Sequence, residues 1–443
     1  MQTHLGTQIN HEALVGQTEA VYVSPFTRPF RAWYIFILVM LFVLFQFVLQ
    51  LTSGEIVAGL MHSFALSALG AGVLSSSYYY IYTLMQTPAG MIIDSIGPRK
   101  ALSVGSVICA LGCAIFAFAP NTLLAFIGRI LMGAGTSCAF VGALYVAMNW
   151  FPVRMFGFMV GLAETIAMVS SLLGGVFVAK TVEISGWRAT IAVSAIIALV
   201  IGALIALFVK DKPKRQTMVT ASNPEHHFWQ EFLLLIKKPV AWINGLYIGF
   251  IFSFVTVFAA LWGVPFFEVS HHWSLMQATI VADLIFLGIA FGGPIMGWLD
   301  NHIRHRRWLL SAAGVLVALL ACAVIFLPKL PMSVVMVLMF LTGVIASVYV
   351  IAYKVASEIA SPLVRSTSVG FANTLCVLSA PVLQPLIGYI LYALSPAAVG
   401  SEAYSMHAYQ IAMSVIPLFA FVAGIIAIFI PSQVSDTNYY VYK

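Results

Sequence analysis

About twelve runs of roughly twenty predominantly apolar residues follow one another along this chain, and a helix of that length crosses the hydrocarbon core of a bilayer. Those of the first half begin near Ala32, Leu66, Lys100, Asn121, Phe156 and Arg188; those of the second near Val240, Leu275, Trp308, Pro331, Ser366 and Ser405. Lipid offers no partner to backbone N–H and C=O groups, so each run is expected to be a helix and not a strand. Composition points the same way. With 61% hydrophobic and 8% charged residues over 443 positions, the chain could not stay dissolved in water. The expected fold is an all-α membrane protein with twelve transmembrane helices in two six-helix halves.

Orientation follows from the 21 Lys and Arg residues. Lys180, Arg188 and Lys329 fall in loops on one side, Arg129 lies inside a span, and the rest share the other side. The positive-inside rule makes that richer side cytoplasmic, with both termini there, in a bacterial inner membrane. The net charge of +6 is thereby explained by topology, and nucleic acid is not needed as a partner. The first 31 residues are polar and carry no signal-peptide pattern. The expected organisation is a cytoplasmic tail over 1–31, a six-helix half over 32–209, a linker with an amphipathic surface helix over 210–239, a second half over 240–430 and a tail over 431–443.

The two halves echo each other. Gly90-Met-Ile-Ile-Asp94-Ser-Ile-Gly97-Pro98-Arg99-Lys100 returns in part as Pro294-Ile-Met-Gly297-Trp-Leu-Asp300, followed by Arg304, Arg306 and Arg307. Pro88 and Asp94 are displaced to Pro294 and Asp300 by 206 positions (294 − 88, 300 − 94), and Gly161-Leu-Ala-Glu164-Thr165 returns as Gly370-Phe-Ala-Asn373-Thr374 at 209 (370 − 161). The first motif resembles the loop signature of the major facilitator superfamily through Gly90, Asp94, Gly97, Arg99 and Lys100. The second copy departs from it, with Gly297 only three residues before Asp300 and no second glycine. The resemblance implies two halves related by a pseudo-two-fold axis along the membrane normal, with a cavity between them. It also implies a cytoplasmic gate in which Arg99 takes part, Asp94 faces the start of span 11 and Arg365, and Asp300 faces the start of span 5 and Arg154.

Charges at membrane depth are costly and therefore informative. They are Arg129 in span 4, Glu164 in span 5 and Asp283 in span 8. Arg129 lies about eight residues, or roughly 12 Å, from the end of its helix, and Glu164 lies a comparable distance along the next, so the two can meet. Two readings follow: a structural Arg–Glu bridge, or an Arg129 that binds an anionic group of the substrate while Glu164 exchanges a proton. Arg129-Ile-Leu-Met-Gly133 resembles the R-x-x-x-G of the fourth helix in proton-coupled members of the superfamily. Asp283 has no cationic partner in its own half, and reads either as a second protonatable group or as a water-exposed lining residue. Glu55 and Glu268 read as solvated rim carboxylates.

Other polar residues share helical faces: Gln46 with Gln50, Tyr78 with Tyr82 and Gln86, and Asn373 with Gln384. With Trp262, at the end of an otherwise packing stripe in span 7, they form the expected cavity lining, each weighed against a plain helix–helix hydrogen bond. Cys109, Cys113, Cys138, Cys322 and Cys376 all fall inside spans, where packing is the better reading than metal or redox chemistry. No cofactor and no metal are expected.

A secondary transporter acting as a monomer, with a small-molecule substrate, protons and the lipid bilayer as partners, accounts for the halves, the loops and the buried charges. An enzyme would want a nucleophile and base on facing spans; neither a deep His nor a Gly-x-Ser-x-Gly is present, and no phosphate-binding loop supports a primary pump. Ser77-Tyr-Tyr-Tyr-Ile-Tyr82-Thr-Leu-Met-Gln86, leading into Asp94 and Gly97-Pro-Arg, resembles bacterial members of the phagosomal amino-acid transporter group, which implies proton-coupled amino-acid uptake. Gly186-Trp187-Arg188 resembles the anion–cation symporter group, which implies an organic anion or sugar acid. Export of drugs or metal chelators is a third possibility.

Overall fold

The computed structural model describes residues 29–51, 53–151, 155–211, 233–303, 305–327, 330–360, 365–395 and 404–431; a few further side chains, those of Asp94 and Arg365 among them, lie outside the description. All the secondary structure described is helical. The first half comprises α1 (Pro29–Leu51 and Gly54–Phe64), α2 (Ala68–Ile96), α3 (Pro98–Ala117) and α4 (Thr122–Thr136 and Cys138–Trp150). It is completed by the long helix Phe156–Phe208, which breaks at Gly186 into α5 (156–185) and α6 (187–208). The second half comprises α7 (Pro239–His271), α8 (Leu275–His302), α9 (Arg306–Phe326), α10 (Met332–Ala346 and Tyr349–Glu358), α11 (Arg365–Val377 and Ser379–Leu394) and α12 (Met406–Met413 and Val415–Ile426). Every one begins within three residues of the position expected from hydropathy. Of the expected linker helix, residues 233–237 are described as helical and 212–232 lie outside the described residues.

Ten of the described segments have the length and apolarity of a membrane span. One of them, Gly161–Phe208, is 48 residues long, or about 72 Å at 1.5 Å per residue, more than twice a hydrocarbon core. It reverses at Gly186, where φ is +78°, a conformation that glycine adopts without steric cost. Ala68–Ile96, at 29 residues, is also long enough to cross, and it carries the polar run Ser75-Ser-Ser-Tyr-Tyr-Tyr80.

Breaks inside the spans were not foreseen, and they repeat between the halves. α4 breaks at Ser137 and α10 at Ser347, 210 positions apart (347 − 137), and each serine turns its hydroxyl onto the carbonyl three residues earlier at 2.7 Å. Such back-bonding bends helices. Gly133 presses against the Tyr78 carbonyl of α2, and its counterpart Gly343 against the Ile285 carbonyl of α8, so the same backbone contact is built twice. α7 departs differently: it is wound as a π-helix over Phe254–Trp262, a conformation that recurs at functional sites.

Two buried cores result. One is drawn from 32–209 with Val377 and Ala380; the other from 235–430 with Leu51, Val57, Met61, Ala68, Ala71 and Met168. Most of these shared residues lie at the charge-poor end, which carries the connections 64–68, 117–122, 271–275 and 327–331. Hydrogen bonds join the halves there, from Ala68 N to Tyr404 Oη at 3.0 Å and from Met276 N to Glu183 Oε1 at 3.2 Å. Nearer the basic end, the related Gly161 and Gly370 face open space. The molecule is sealed at its charge-poor end.

Candidate functional site

Arg129 is among the largest fully buried side chains, at 2% exposure. Its Nη2 donates to Ser53 Oγ at 2.7 Å and to the Ser75 carbonyl at 2.9 Å, its guanidinium lies over the Tyr78 and Phe116 rings, and its Nε has no partner. Glu164 does not meet it. The ion pairs among the described residues are Arg306–Asp300, Arg306–Glu358 and Lys354–Asp300, and Glu164 instead accepts from Tyr349 Oη at 3.2 Å, across the two halves. The expected approach of Arg129 and Glu164 is therefore corrected: Arg129 points toward α1 and α2, and Glu164 toward α10. A cation in this position costs roughly 2.5–3.5 kcal/mol to insert, which two neutral acceptors and two aromatic faces offset only in part. A ligand anion would complete it.

Four of the residues expected to line a cavity, Gln46, Gln50, Tyr78 and Tyr82, are buried and touch one another. Gln46 Nε2 donates to Gln50 Oε1 at 2.6 Å and to Tyr82 Oη at 3.2 Å, while its own Oε1 has no partner. Tyr78 stacks on Tyr82 at 5.8 Å and shares a 2.6 Å hydrogen bond with Thr136. Tyr79, not singled out from sequence, donates to the Gln50 carbonyl at 3.0 Å. α1, α2 and α4 thus bring a guanidinium, two amides and three phenols together.

In the other half Gln384 is fully used. It accepts from Ser76 Oγ of α2 at 3.0 Å, donates to the Thr256 carbonyl at 2.7 Å, and its backbone carbonyl accepts from Trp262 Nε1 at 3.1 Å. Trp262 and Gln384 therefore meet, but as a stitch between α2, α7 and α11 in this state. Asn373 lies apart from them and accepts from Tyr353 Oη at 2.8 Å.

Two carboxylates depart most from expectation. Asp283 is fully buried and not water-exposed, and Glu55, read as a solvated rim group, is 2% exposed. The break before Gly54 turns Glu55 inward, and all four oxygens of the two groups are without hydrogen-bond partners.

The loop motif at the basic end is organised around glycine and an unforeseen aspartate. Gly97 has φ +84°, and Asp211 fills the space where its Cβ would lie, accepting from Arg99 N at 2.9 Å. Arg99 Nε donates to the Ala206 carbonyl at 2.7 Å, so this expected gate residue ties α3 to α6 in its own half. Asp300 is likewise engaged within its own half, with Arg306 at 2.5 Å and Lys354 at 2.6 Å. Its expected partner Arg154 lies outside the described residues, as do the side chains of Asp94 and Arg365. Residues 35–385 match the family model of the Major Facilitator Superfamily. The chain belongs to that superfamily.

Its relatives are transporters and not enzymes. Similar proteins include the uncharacterized transporter YybO of Bacillus subtilis, 25% identical over 66% of this chain and 71% of that protein. A probable sulfoacetate transporter, SauU of Cupriavidus necator, is 25% identical over 53% of this chain and 49% of its own length. The hexuronate transporter of Bacillus subtilis is 24% identical over 58% and 62%. Among solved structures, a bacterial homolog of the human lysosomal transporter Spinster, inward-facing and unoccupied, superposes with a TM-score of 0.76 at 16% identity, covering 91% of this chain and 97% of that one. A D-xylose–proton symporter gives 0.66 at 19% identity, over 88% and 97%.

Gly186-Trp187-Arg188 serves as a clamp on the closed end of this transporter. Trp187 Nε1 donates to Ser63 Oγ at 3.1 Å, and Arg188 Nη1 to the Ala117 and Ala119 carbonyls at 2.8 and 2.9 Å while lying over the Trp187 ring. A groove of 580 Å³ between α1, α5 and α6 is lined by apolar, Ser and Thr side chains such as Val48, Ile166, Phe177 and Val193, with no charged group, and lies away from Arg129. Ser53, Ser76, Thr256 and Tyr349 were missed because single hydroxyls in apolar runs carry no periodic signal.

Proposed function

We propose that the protein takes up a small organic anion, of the sugar-acid or sulfonate class, by proton-coupled alternating access across a bacterial inner membrane, as a monomer with both termini cytoplasmic. The observation that carries this is Arg129: a buried guanidinium with no carboxylate partner among the described residues and its Nε–H unused. An amphoteric substrate such as an amino acid would want a cation and a carboxylate converging on it, and Glu164 is turned to Tyr349 instead. The relatives named for hexuronate and sulfoacetate support an anion.

In this reading the anion is released at the basic, cytoplasm-facing end in the state described, since the charge-poor end is shut. Arg129 holds it with Gln46, Gln50, Tyr78 and Tyr82, and Trp262, Gln384 and Asn373 bear on it when the halves rock. Ser53 sits where α1 breaks, so an anion that competes for Arg129 Nη2 also loosens that break. Glu164 carries the coupled proton, and its bond to Tyr349 makes the protonation state felt across the halves. Asp94, Arg99, Arg154, Asp300 and Arg365 form the cytoplasmic gate.

Differential thermal stabilisation of the purified protein by hexuronates, tartrate, sulfoacetate and neutral amino acids tests the substrate class. Anions should raise the melting temperature of the wild type and leave Arg129→Ala unmoved. Stabilisation by amino acids alone would overturn it.

A further inference from the structure

Two acidic side chains from opposite halves end in the same buried place. Glu55 opens the second segment of α1 and Asp283 lies within α8, and neither carboxylate has a hydrogen-bond partner. Gly175 of α5 stands between them: a Cβ there would overlap Asp283 Oδ2 and come 3.4 Å from Glu55 Oε1. One helical turn before Asp283, Thr279 adds a fully buried hydroxyl that also lacks a partner. The place thus holds five oxygens and a single O–H to share among them.

Among the described residues, no cation forms an ion pair with either carboxylate. The helices packed on the segments that carry Glu55 and Asp283 are α2, α5, α6, α7 and α10, and Arg188 of α6 is engaged by the Ala117 and Ala119 carbonyls. α7 contributes Glu268, which faces Glu55 and adds negative charge. α5 brings Lys180 and Glu183, both exposed, and α10 brings Lys354 and Glu358, engaged at the basic end by Asp300 and Arg306. His62 of α1 is exposed, and His271 at the end of α7 bonds Ser270. Arg129 reaches Ser53, two residues before Glu55, without forming an ion pair. Two ionised carboxylates buried this way would repel each other, and they belong to the two halves that the seal joins.

We propose that Glu55 and Asp283 form a cation-binding latch: a proton or a sodium ion held between them, with Thr279 as a further oxygen, keeps the charge-poor end shut, and its loss lets the halves part there. Carboxylate pairs take up a shared proton, and hard monovalent cations are held by oxygens alone, so one set of atoms suits either ion. The latch deepens the coupling reading above by giving the coupling ion a second place beside Glu164, and it does not depend on which anion is carried.

The test places spin labels at Leu123 of α4 and Leu327 beyond α9, both exposed at the charge-poor end, in a background with the native cysteines replaced. The distance is measured in liposomes from about pH 5 to about pH 9, the range over which buried carboxyls titrate, with and without sodium. In the wild type, raising the pH without sodium should lengthen the distance. Reversal by sodium at high pH identifies sodium as the ion, and failure to reverse identifies the proton. Glu55→Gln with Asp283→Asn should stay short under every condition. A wild type insensitive to both ions, or a double variant with the full wild-type response, would overturn the latch. Should the double variant not elute as folded protein, Asp283→Asn alone is read, and an unchanged response overturns the proposal equally. A response to sodium alone keeps the latch and refutes proton coupling.

Discussion

Arg129 Nη2 donates to Ser53 Oγ at 2.7 Å, at the point where α1 breaks, and not to Glu164. On the proposed reading, this cation, which ends on a neutral hydroxyl in the interior of a membrane protein, takes an external anion. The hydroxyl satisfies one N–H and leaves the charge.

Removing that charge should weaken anion binding by roughly ten- to hundredfold, the worth of a hydrogen bond to a charged group. Arg129→Ala should show this by calorimetric titration with the anion that stabilises the wild type. Arg129→Lys should recover part of the loss, because it keeps the charge but not the planar fork. Equal affinities in all three proteins would remove Arg129 from the site.

Glu164→Gln should separate coupling from transport. The amide resembles the protonated acid, so the variant should exchange internal for external substrate while losing accumulation against a gradient. Tyr349→Phe removes the bond across the halves but keeps the carboxyl, and a smaller defect is expected. Normal accumulation by Glu164→Gln would make Glu164 structural.

Gly97→Ala should lower stability by roughly 1–3 kcal/mol, since φ +84° with ψ 156° is a conformation left almost wholly to glycine and the Asp211 carboxylate occupies the Cβ position. Thermal unfolding in detergent measures it. Gly90→Ala, where the nearest atom is 3.9 Å away, is the control and should be silent.

The repeated glycine contacts make a symmetric prediction. Gly133→Ala and Gly343→Ala each drive a methyl group into a backbone carbonyl, of Tyr78 and of Ile285, and the two should reduce the yield of folded protein similarly. A large difference between them would break the equivalence of the halves.

What the sequence made legible was whatever hydropathy and repetition encode. Span starts fell within three residues because roughly twenty apolar residues leave little freedom in lipid, and the displacement of Pro88 and Asp94 anticipated the doubled architecture. Gln46 met Gln50, and Tyr78 met Tyr82, because each pair shares one helical face, while Arg129 was legible as a charge at membrane depth. Glu55 was misplaced for the opposite reason: it follows an apolar run and reads as a rim residue, but the break at Ser53 carries the helix on and turns the carboxylate in. The separation of Arg129 from Glu164 was likewise invisible, since heights along two helices can be read from spacing and the rotation of one about the other cannot. Asp211, capping α3 from beyond the end of α6, depends on a contact over 112 positions that no local pattern announces.

The central claim is proton-coupled uptake of an organic anion through Arg129, and gradient-driven transport in proteoliposomes tests it most directly. Vesicles alkaline inside are given a radiolabelled hexuronate or sulfonate outside, with and without a protonophore. The wild type should accumulate the anion above its equilibrium level, lose that accumulation when the protonophore is added, and outperform Arg129→Ala throughout. Accumulation that survives collapse of the proton gradient, or that Arg129→Ala reproduces in full, would contradict the account.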